Sequence, residues 1–246
     1  MIRKTKRMSA MTERYGIDIS RAQGAIDWDV LAENKDLSFV ILRATQGTAQ
    51  DTRFADNIRE VLRLDLPFGL YFAASAVTAQ GVAAEADCAA EYVRQYKPRY
   101  GAWYDMELKS HRELGKDAIT TLLRQWCDRV KEAGGRYGIY TNRDWLLNRI
   151  DLDRLPDALL WYAAYPSTAR KTLAEAPKDN RQKLSFPQAA LWQWSSAGRV
   201  DGIIGNVDLN VCYEDFPAEP TADKRYITLA EAKELLRAQG YDGIVI

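Results

Sequence analysis

The chain contains 246 residues, of which 47% are hydrophobic and 28% are charged, the composition of an ordinary globular protein. Its 34 basic and 34 acidic residues balance, so no net charge attracts nucleic acid or an anionic membrane, and no apolar run reaches the roughly 18 residues that span a bilayer. The single histidine and the three widely separated cysteines argue against a disulfide framework and against a Cys/His zinc cluster, and we expect neither a metal nor a cofactor.

The chain opens with a basic segment. Residues 3 to 7 read Arg-Lys-Thr-Lys-Arg and lack the apolar stretch that a secretory signal needs. We therefore expect residues 1–13 to be a disordered tail, and we expect the protein to be cytoplasmic when it is synthesised.

Short apolar runs rich in β-branched and aromatic residues then recur between segments of helical periodicity, which is the pattern of repeated βα units. The predicted strands are Tyr15–Ser20, Phe39–Thr45, Phe68–Ser75, Gly101–Leu108, Tyr137–Asn142, Leu159–Tyr165, Ala190–Ser195 and Val207–Val211. Eight strands are the number that closes a (β/α)8 barrel of the TIM type, so we expect residues 14–216 to form one α/β barrel domain.

Helices are predicted between the early strands. Apolar residues recur at helical spacing in Arg53–Leu64, Val82–Tyr96 and Ile119–Ala133, and the last segment stops at a Gly-Gly pair that is typical of a helix C-terminus. The later connections are a long Lys- and Pro-rich loop, residues 166–187, and segments too short for regular helices. The sequence therefore predicts an irregular barrel with reduced helices in its last units.

Residues 217–246 are predicted to form a short helical appendage. A Pro-rich stop precedes Tyr226–Ile246, and Thr228 with Glu231 forms the sequence pattern of a capping box. About 27 residues are too few to fold alone. The segment is expected either to pack on the barrel or to be a fragment of a partner-binding or wall-binding module.

Four acidic residues occur at predicted strand ends. Asp18 ends the first run, Asp105 and Glu107 end the fourth, and Asp208 lies in the last. Residues at the carboxyl ends of barrel strands converge on one mouth, and alternate residues of a strand share a face with Cα atoms roughly 6.6 Å apart. Paired carboxylates are what glycoside hydrolysis needs. The alternative is that each acid meets water or a basic partner.

Aromatic residues also crowd the strand ends. Sugar rings present apolar faces with polar rims, which suit flat aromatic side chains that carry a hydroxyl or an indole N–H. About half of these aromatic residues are expected only to pack the barrel. The candidate substrate-binding residues are Tyr71, Trp103, Tyr140, Tyr162 and Trp194, with Gln193 and Asn210 as polar contacts.

Several segments together carry a family resemblance. They are Tyr15–Ser20 followed by Gln23-Gly24 and Ile26-Asp27-Trp28, then Phe39–Thr45, Tyr104–Glu107, Trp192–Ser196 and Gly205–Asn210. Over residues 14–216, their order and spacing resemble those of the glycoside hydrolase family 25 muramidases, the Chalaropsis-type lysozymes.

The resemblance implies an irregular α/β barrel that cleaves the β-1,4 bond between N-acetylmuramic acid and N-acetylglucosamine in bacterial peptidoglycan. It implies that Glu107 is the general acid and that Asp18, Asp105 and Asp208 line the cleft. Asp105 would stabilise an oxocarbenium-like centre, attack it, or orient the acetamido group of the substrate. We expect a monomeric phage or prophage endolysin that acts on the cell wall after release, without binding nucleic acid or inserting into membranes.

Two positions depart from the family pattern. Position 46 is Gln where the family commonly has Glu, and the third strand reads Tyr71-Phe72-Ala73 where the family commonly has Tyr-His-Phe. These departures keep two alternatives open. One is a glycan-binding or virion structural module with reduced catalysis, and the other is a hydrolase of another acetamido-sugar polymer such as chitin.

Overall fold

The computed structural model describes residues 13–178, 181 and 184–216. The predicted basic tail, apart from residue 13, and the predicted C-terminal helix with its capping pair Thr228 and Glu231 lie outside these residues.

Eight strands of the described chain close into a barrel, which confirms the predicted fold class. Each strand pairs with two neighbours, and the ring closes because the first strand pairs with both the second and the last. The barrel strands are β1 (Arg14–Ile19), β2 (Phe39–Gln46), β4 (Phe68–Ala73), β5 (Ala102–Asp105), β6 (Tyr137–Asn142), β7 (Leu159–Ala163), β8 (Leu191–Gly198) and β9 (Val207–Cys212), and the two-residue β3 (Ala49–Gln50) extends the sheet beside β2.

The last strand reverses direction. β9 runs antiparallel to both β8 and β1, whereas the other neighbouring barrel strands are parallel. The mouth is therefore formed by the carboxyl ends of β1 to β8 and by the amino end of β9. Asp208, the second residue of β9, reaches the mouth for this reason, and the rule that functional groups lie at carboxyl ends does not hold for this strand.

The long helices lie in the earlier connections, and the described parts of the later connections contain only short ones, as the sequence predicts. The helices are α1 (Trp28–Ala32), α2 (Phe54–Arg63), α3 (Ala79–Tyr96), α4 (Lys109–Arg112), α5 (Lys116–Glu132) and α6 (Arg143–Asn148). Helix α5 buries Leu122, Trp126 and Val130 on one face and ends just before Gly134, whose φ of 85° favours glycine. After α6, the described parts of the connections contain only short 3₁₀ turns. No helix in the described ranges is long and apolar enough to cross a membrane.

Two apolar layers lie on opposite sides of the sheet. The outer layer packs the helices on the strands, and the inner layer fills the barrel with large side chains. Glycine makes room inside: a Cβ atom at Gly138 would lie 2.6 Å from the ring of Trp103. The inner layer forms the floor beneath the mouth, and its buried members include Phe39, Ile41, Tyr100, Trp103, Trp161 and Leu191.

Candidate active site

Asp18 lies on the inner face of β1 and is held by side chains from β9, the neighbouring strand, and from β8, the strand beyond it. Its Oδ2 atom accepts hydrogen bonds from Asn210 Nδ2 at 2.7 Å and from Gln193 Nε2 at 2.9 Å. Burial raises the pKa of Asp18 to about 6, although these two hydrogen bonds and one with Asp208 favour the ionised form. The carboxylate is therefore buried, hydrogen-bonded and fixed in position.

Asp208 lies directly across from Asp18 in the β1–β9 pairing. Burial, followed by the charge of Asp18 and a hydrogen bond between the two carboxyl groups, raises the pKa of Asp208 to about 8. Two carboxyl groups can hydrogen-bond to each other only when a proton lies between them. The pair therefore holds a proton at neutral pH.

Asp105 is the last residue of β5 and lies between Ala73 of β4 and Tyr140 of β6. Burial raises its pKa well above the ordinary value, the charges of Glu107 and Asp18 raise it further, and Arg43 acts in the opposite direction. Its Oδ1 atom is buried and has no hydrogen-bond partner among the residues that the structure describes.

Glu107 lies beyond the end of β5, in the connection to α4, and is the most exposed of the four acids. Partial burial raises its pKa, and Arg112 opposes the rise. The expectation that Asp105 and Glu107 alternate on one strand is wrong, because β5 ends at Asp105. The position of Glu107 is therefore set by a loop and not by the pleat of the sheet.

The structure brings all four predicted acids to one mouth. The pKa of Asp105 responds to Glu107 and Asp18, and the pKa of Asp208 responds to Asp18 and Glu107. Carboxyl groups this close and this buried cannot all ionise, so the cluster retains protons at a pH where isolated acids would have lost them. Such a cluster can donate a proton to a bound substrate.

Gln193 and Asn210 are expected to contact substrate, but their side chains form hydrogen bonds within the protein instead. Gln193 Oε1 accepts hydrogen bonds from Tyr140 Oη at 2.8 Å and Tyr165 Oη at 2.6 Å, while its amide nitrogen donates to Asp18. Asn210 Oδ1 accepts from Trp161 Nε1 at 2.8 Å. Because Gln193 is 3% exposed and Asn210 is 0% exposed, both amides position Asp18 and do not reach the open cleft.

Tyr71 and Tyr140 lie on the inner face beside the acids, as the sequence predicts. Their rings pack on the edge of Trp161, with centroid distances of 6.1 Å and 4.9 Å. Burial raises the pKa of both phenols, so both hydroxyl groups stay protonated and can donate hydrogen bonds. Both are partly exposed and are candidates for substrate contact.

The expected substrate contacts of Trp103, Tyr162 and Trp194 are not supported. Trp103 lies in the floor at 0% exposure, and its indole N–H donates to Tyr100 O at 2.8 Å. Tyr162 faces the outer layer, where its ring lies 5.3 Å from that of Phe186, and Trp194 is buried in the same layer. Because side chains alternate between the two faces of a strand, every second aromatic residue points to the outer layer. Others are buried in the inner layer, which forms the floor of the barrel.

Two residues of the site were missed. Arg43 lies on β2 near Asp105 and is anchored by Asp51, whose Oδ2 is 2.6 Å from Arg43 Nε. A charged residue inside the apolar run Phe39–Thr45 is the signal that could have identified Arg43, because an unpaired buried charge is costly. Tyr165, the other missed residue, belongs to the aromatic group at the strand ends and hydrogen-bonds to Gln193.

Comparisons with known proteins match most of this barrel. The model of "Glycosyl hydrolases family 25" matches residues 17–203. Lysozyme M1 from Streptomyces globisporus is 26% identical over 208 residues, which cover 79% of this chain and 66% of that protein.

Two solved structures are similar to this chain in sequence and in fold. The modular autolysin LytC from Streptococcus pneumoniae, determined in complex with a synthetic peptidoglycan ligand, is 26% identical with a TM-score of 0.67, covering 82% of this chain and 47% of LytC. The catalytic domain of endolysin ply40 from bacteriophage P40 of Listeria monocytogenes is 25% identical with a TM-score of 0.65, covering 85% of this chain and 97% of that domain. The chain thus spans just under two thirds of Lysozyme M1 and about half of LytC.

Proposed function

The chain belongs to the glycosyl hydrolases of family 25, and from this premise we propose that it hydrolyses bacterial peptidoglycan at the β-1,4 bond between N-acetylmuramic acid and N-acetylglucosamine. The observation that carries the proposal is the meeting of four carboxyl groups with raised pKa values at one barrel mouth. Cleavage of a glycosidic bond needs a proton donor beside a second carboxyl group, and the mouth supplies both.

Glu107 is the proposed general acid. It is the most exposed of the four acids, so it can reach the oxygen of a bound glycosidic bond, and its pKa is raised by partial burial. A general acid works best when its pKa lies near the working pH. The charge of Arg112 opposes this shift, so partial burial is the cause of the raised pKa of Glu107.

Asp105 is the proposed partner of Glu107. It can stabilise positive charge on the sugar, attack it, or orient the acetamido group of the substrate. The buried Oδ1 atom, which has no partner within residues 13–178, 181 and 184–216, favours the third role, because a substrate N–H would complete its hydrogen bonding. Tyr71 and Tyr140 flank this position and are proposed to contact the sugar rings.

The substrate is proposed from the relatives. LytC was determined with a synthetic peptidoglycan ligand, and the ply40 domain comes from a bacteriophage endolysin. We therefore propose that this chain acts on the bacterial cell wall, as a phage or prophage endolysin released after synthesis. Gln46 pairs with Ala73, which in turn pairs with Asp105, but neither Gln46 nor the Tyr-Phe-Ala third strand supplies one of the four carboxyl groups, so the proposed proton donor is retained.

The test is hydrolysis of purified peptidoglycan by the wild type, by Glu107→Gln, and by Glu91→Gln as a control at an exposed position of α3. We expect the wild type and the control to release new reducing ends and Glu107→Gln to lose about 10²- to 10⁴-fold in rate, the usual contribution of a general acid. All three should still sediment with peptidoglycan.

Mass spectrometry of the digest identifies the bond, because muramidase action leaves muramic acid at each new reducing end. Binding without any release of reducing ends by the wild type would instead support a glycan-binding module. Cleavage of chitin oligomers with no action on peptidoglycan would support the other acetamido-sugar hydrolase.

A further inference from the structure

The only histidine of the chain lies behind the acid cluster, in the short helix that follows Glu107. His111 is 0% exposed and belongs to α4. Its Nδ1 atom accepts a hydrogen bond from the backbone N–H of Leu108 at 3.1 Å, and its Nε2 atom lies 3.2 Å from the carbonyl oxygen of Ala76. The Leu108 amide can only donate and the Ala76 carbonyl can only accept, so the ring is the neutral tautomer with its proton on Nε2.

The Ala76 side of this contact is also anchored. The backbone N–H groups of Ser75 and Ala76 donate to Glu85 Oε1 at 3.0 Å and 2.8 Å, and Tyr104 Oη donates to Glu85 Oε2 at 2.6 Å. Glu85 comes from α3, and Tyr104 immediately precedes Asp105 on β5. The connections β4–α3 and β5–α4 are thus joined behind the mouth by two buried polar side chains, Glu85 and His111.

This arrangement decides where Glu107 can lie. Asp105 is fixed by strand pairing on both sides, but Glu107 follows the end of the strand. The next residue, Leu108, is bound to His111 twice, because its carbonyl also accepts the His111 backbone N–H at 3.0 Å. The Glu107 backbone is therefore held between a paired strand end and the imidazole contact.

We infer that His111 is a positioning residue for Glu107, whose neutral imidazole holds the Leu108 amide and so fixes the loop that carries the proton donor. The inference rests on the proposed function. Burial lowers the pKa of His111, which keeps the ring neutral and Nδ1 free to accept at pH 7. A catalytic group displaced by about 1 Å can lose about 10²-fold in rate, so the contact matters for turnover more than for binding.

Three substitutions separate positioning from simple packing. The side-chain oxygen of His111→Asn can replace Nδ1 as the acceptor for Leu108, whereas the amide nitrogen of His111→Gln can replace Nε2 as the donor to Ala76. His111→Ala loses both contacts. Steady-state kinetics on peptidoglycan, with activity normalised to the folded fraction of the full-length chain, compare the three variants.

We expect His111→Ala and His111→Gln to lower kcat by about 10- to 100-fold with little change in KM, and His111→Asn to recover most of kcat. Equal kcat values for the Asn and Gln variants, or a loss explained by the unfolded fraction alone, would overturn the inference. If the Ala variant does not fold, the Asn and Gln pair decides the question alone.

A second measurement does not depend on activity. Because the untagged chain has one histidine, its ring nitrogens can be followed by ¹⁵N NMR without assignment, and we expect one protonated and one unprotonated nitrogen at pH 7. The Leu108 amide should exchange slowly in the wild type and rapidly in His111→Gln. Slow exchange in a wild type that hydrolyses no peptidoglycan would contradict the proposed function, and rapid exchange in an active wild type would contradict the role of His111.

Discussion

The two sides of the barrel mouth hold their acids by different means. On the strand side, Asp18 and Asp208 lie on paired strands, and the buried amides of Gln193 and Asn210 bind Asp18. On the loop side, Asp105 ends its strand with an Oδ1 atom that has no hydrogen-bond partner in the described part of the chain, and Glu107 lies on the following connection.

We expect the strand side to contribute mainly to the stability of the fold and the loop side mainly to the reaction. On the strand side, the hydrogen bonds from Gln193 and Asn210 satisfy Asp18 within the protein, so Asp18 contributes to the fold and to the electric field of the mouth. On the loop side, the buried Oδ1 atom of Asp105 has no hydrogen-bond partner among the described residues, and Glu107 is the most exposed of the four acids. Free hydrogen-bonding capacity and exposure are what a reacting group needs. Substitutions on the two sides should therefore affect different measurements.

Apart from the loss expected for Glu107→Gln, the largest effect is expected on the loop side, at Asp105. Asp105→Asn should lower kcat on peptidoglycan by about 10²- to 10³-fold, the range observed when one stabilising group of an active site is removed. The free energy of unfolding should stay the same or rise, because the variant removes a buried acid whose ionisation is opposed by burial and by Glu107. Kinetics and urea unfolding of the same preparation check both statements. A large loss of stability would show that the loop side also supports the fold.

The second effect is expected on the strand side, at Gln193. Gln193→Leu removes a donor to Asp18 and leaves the hydroxyl groups of Tyr140 and Tyr165 without their acceptor. Because hydrogen bonds to charged groups contribute about 1.5–3 kcal/mol, urea unfolding should show a loss of about 2–3 kcal/mol. Tyr165→Phe is the matched control, removes one neutral hydrogen bond, and should cost about 1 kcal/mol or less. Equal losses in both variants would count against Gln193 as the centre of the network.

The third effect is a pH dependence of stability at the strand side, which develops gradually over several pH units. The pKa of Asp208 is about 8 in the folded protein, above its ordinary value of 3.8, so between these values the native state binds a proton that the unfolded state has lost. Stability from this group is complete at low pH and is lost as the pH rises to about 8, with a slope of at most about 1.4 kcal/mol per pH unit.

Urea unfolding of the wild type and of Asp208→Asn between pH 5 and pH 9 measures this slope. The wild-type curve should fall more steeply toward pH 8, while the variant, which cannot titrate at this position, should give a flatter curve. Parallel curves would mean that Asp208 does not bind a proton in the native state over this pH range.

The sequence predicted the strands and helices more accurately than the contacts of the side chains. The eight strands and the helices between the early strands followed from apolar periodicity and glycine stops, because burial of one face imposes a regular spacing on the chain. The four acids were found because charge next to apolar strands is costly unless it is used. Trp103, Tyr162 and Trp194 were placed wrongly, because the inner or outer direction of a side chain and its height in the barrel depend on register.

By itself, the sequence determined the number of strands, the irregular later half of the barrel and the identity of the four acids, since each of these depends on local pattern and composition. Only the tertiary structure decided that β9 reverses, that Gln193 and Asn210 bind Asp18, and that His111 holds the loop behind Glu107. Those features join residues far apart in the chain, such as Asn210 and Asp18, which are separated by 192 positions. Strand pairing and side-chain direction create such contacts, and no local spacing in the sequence specifies them.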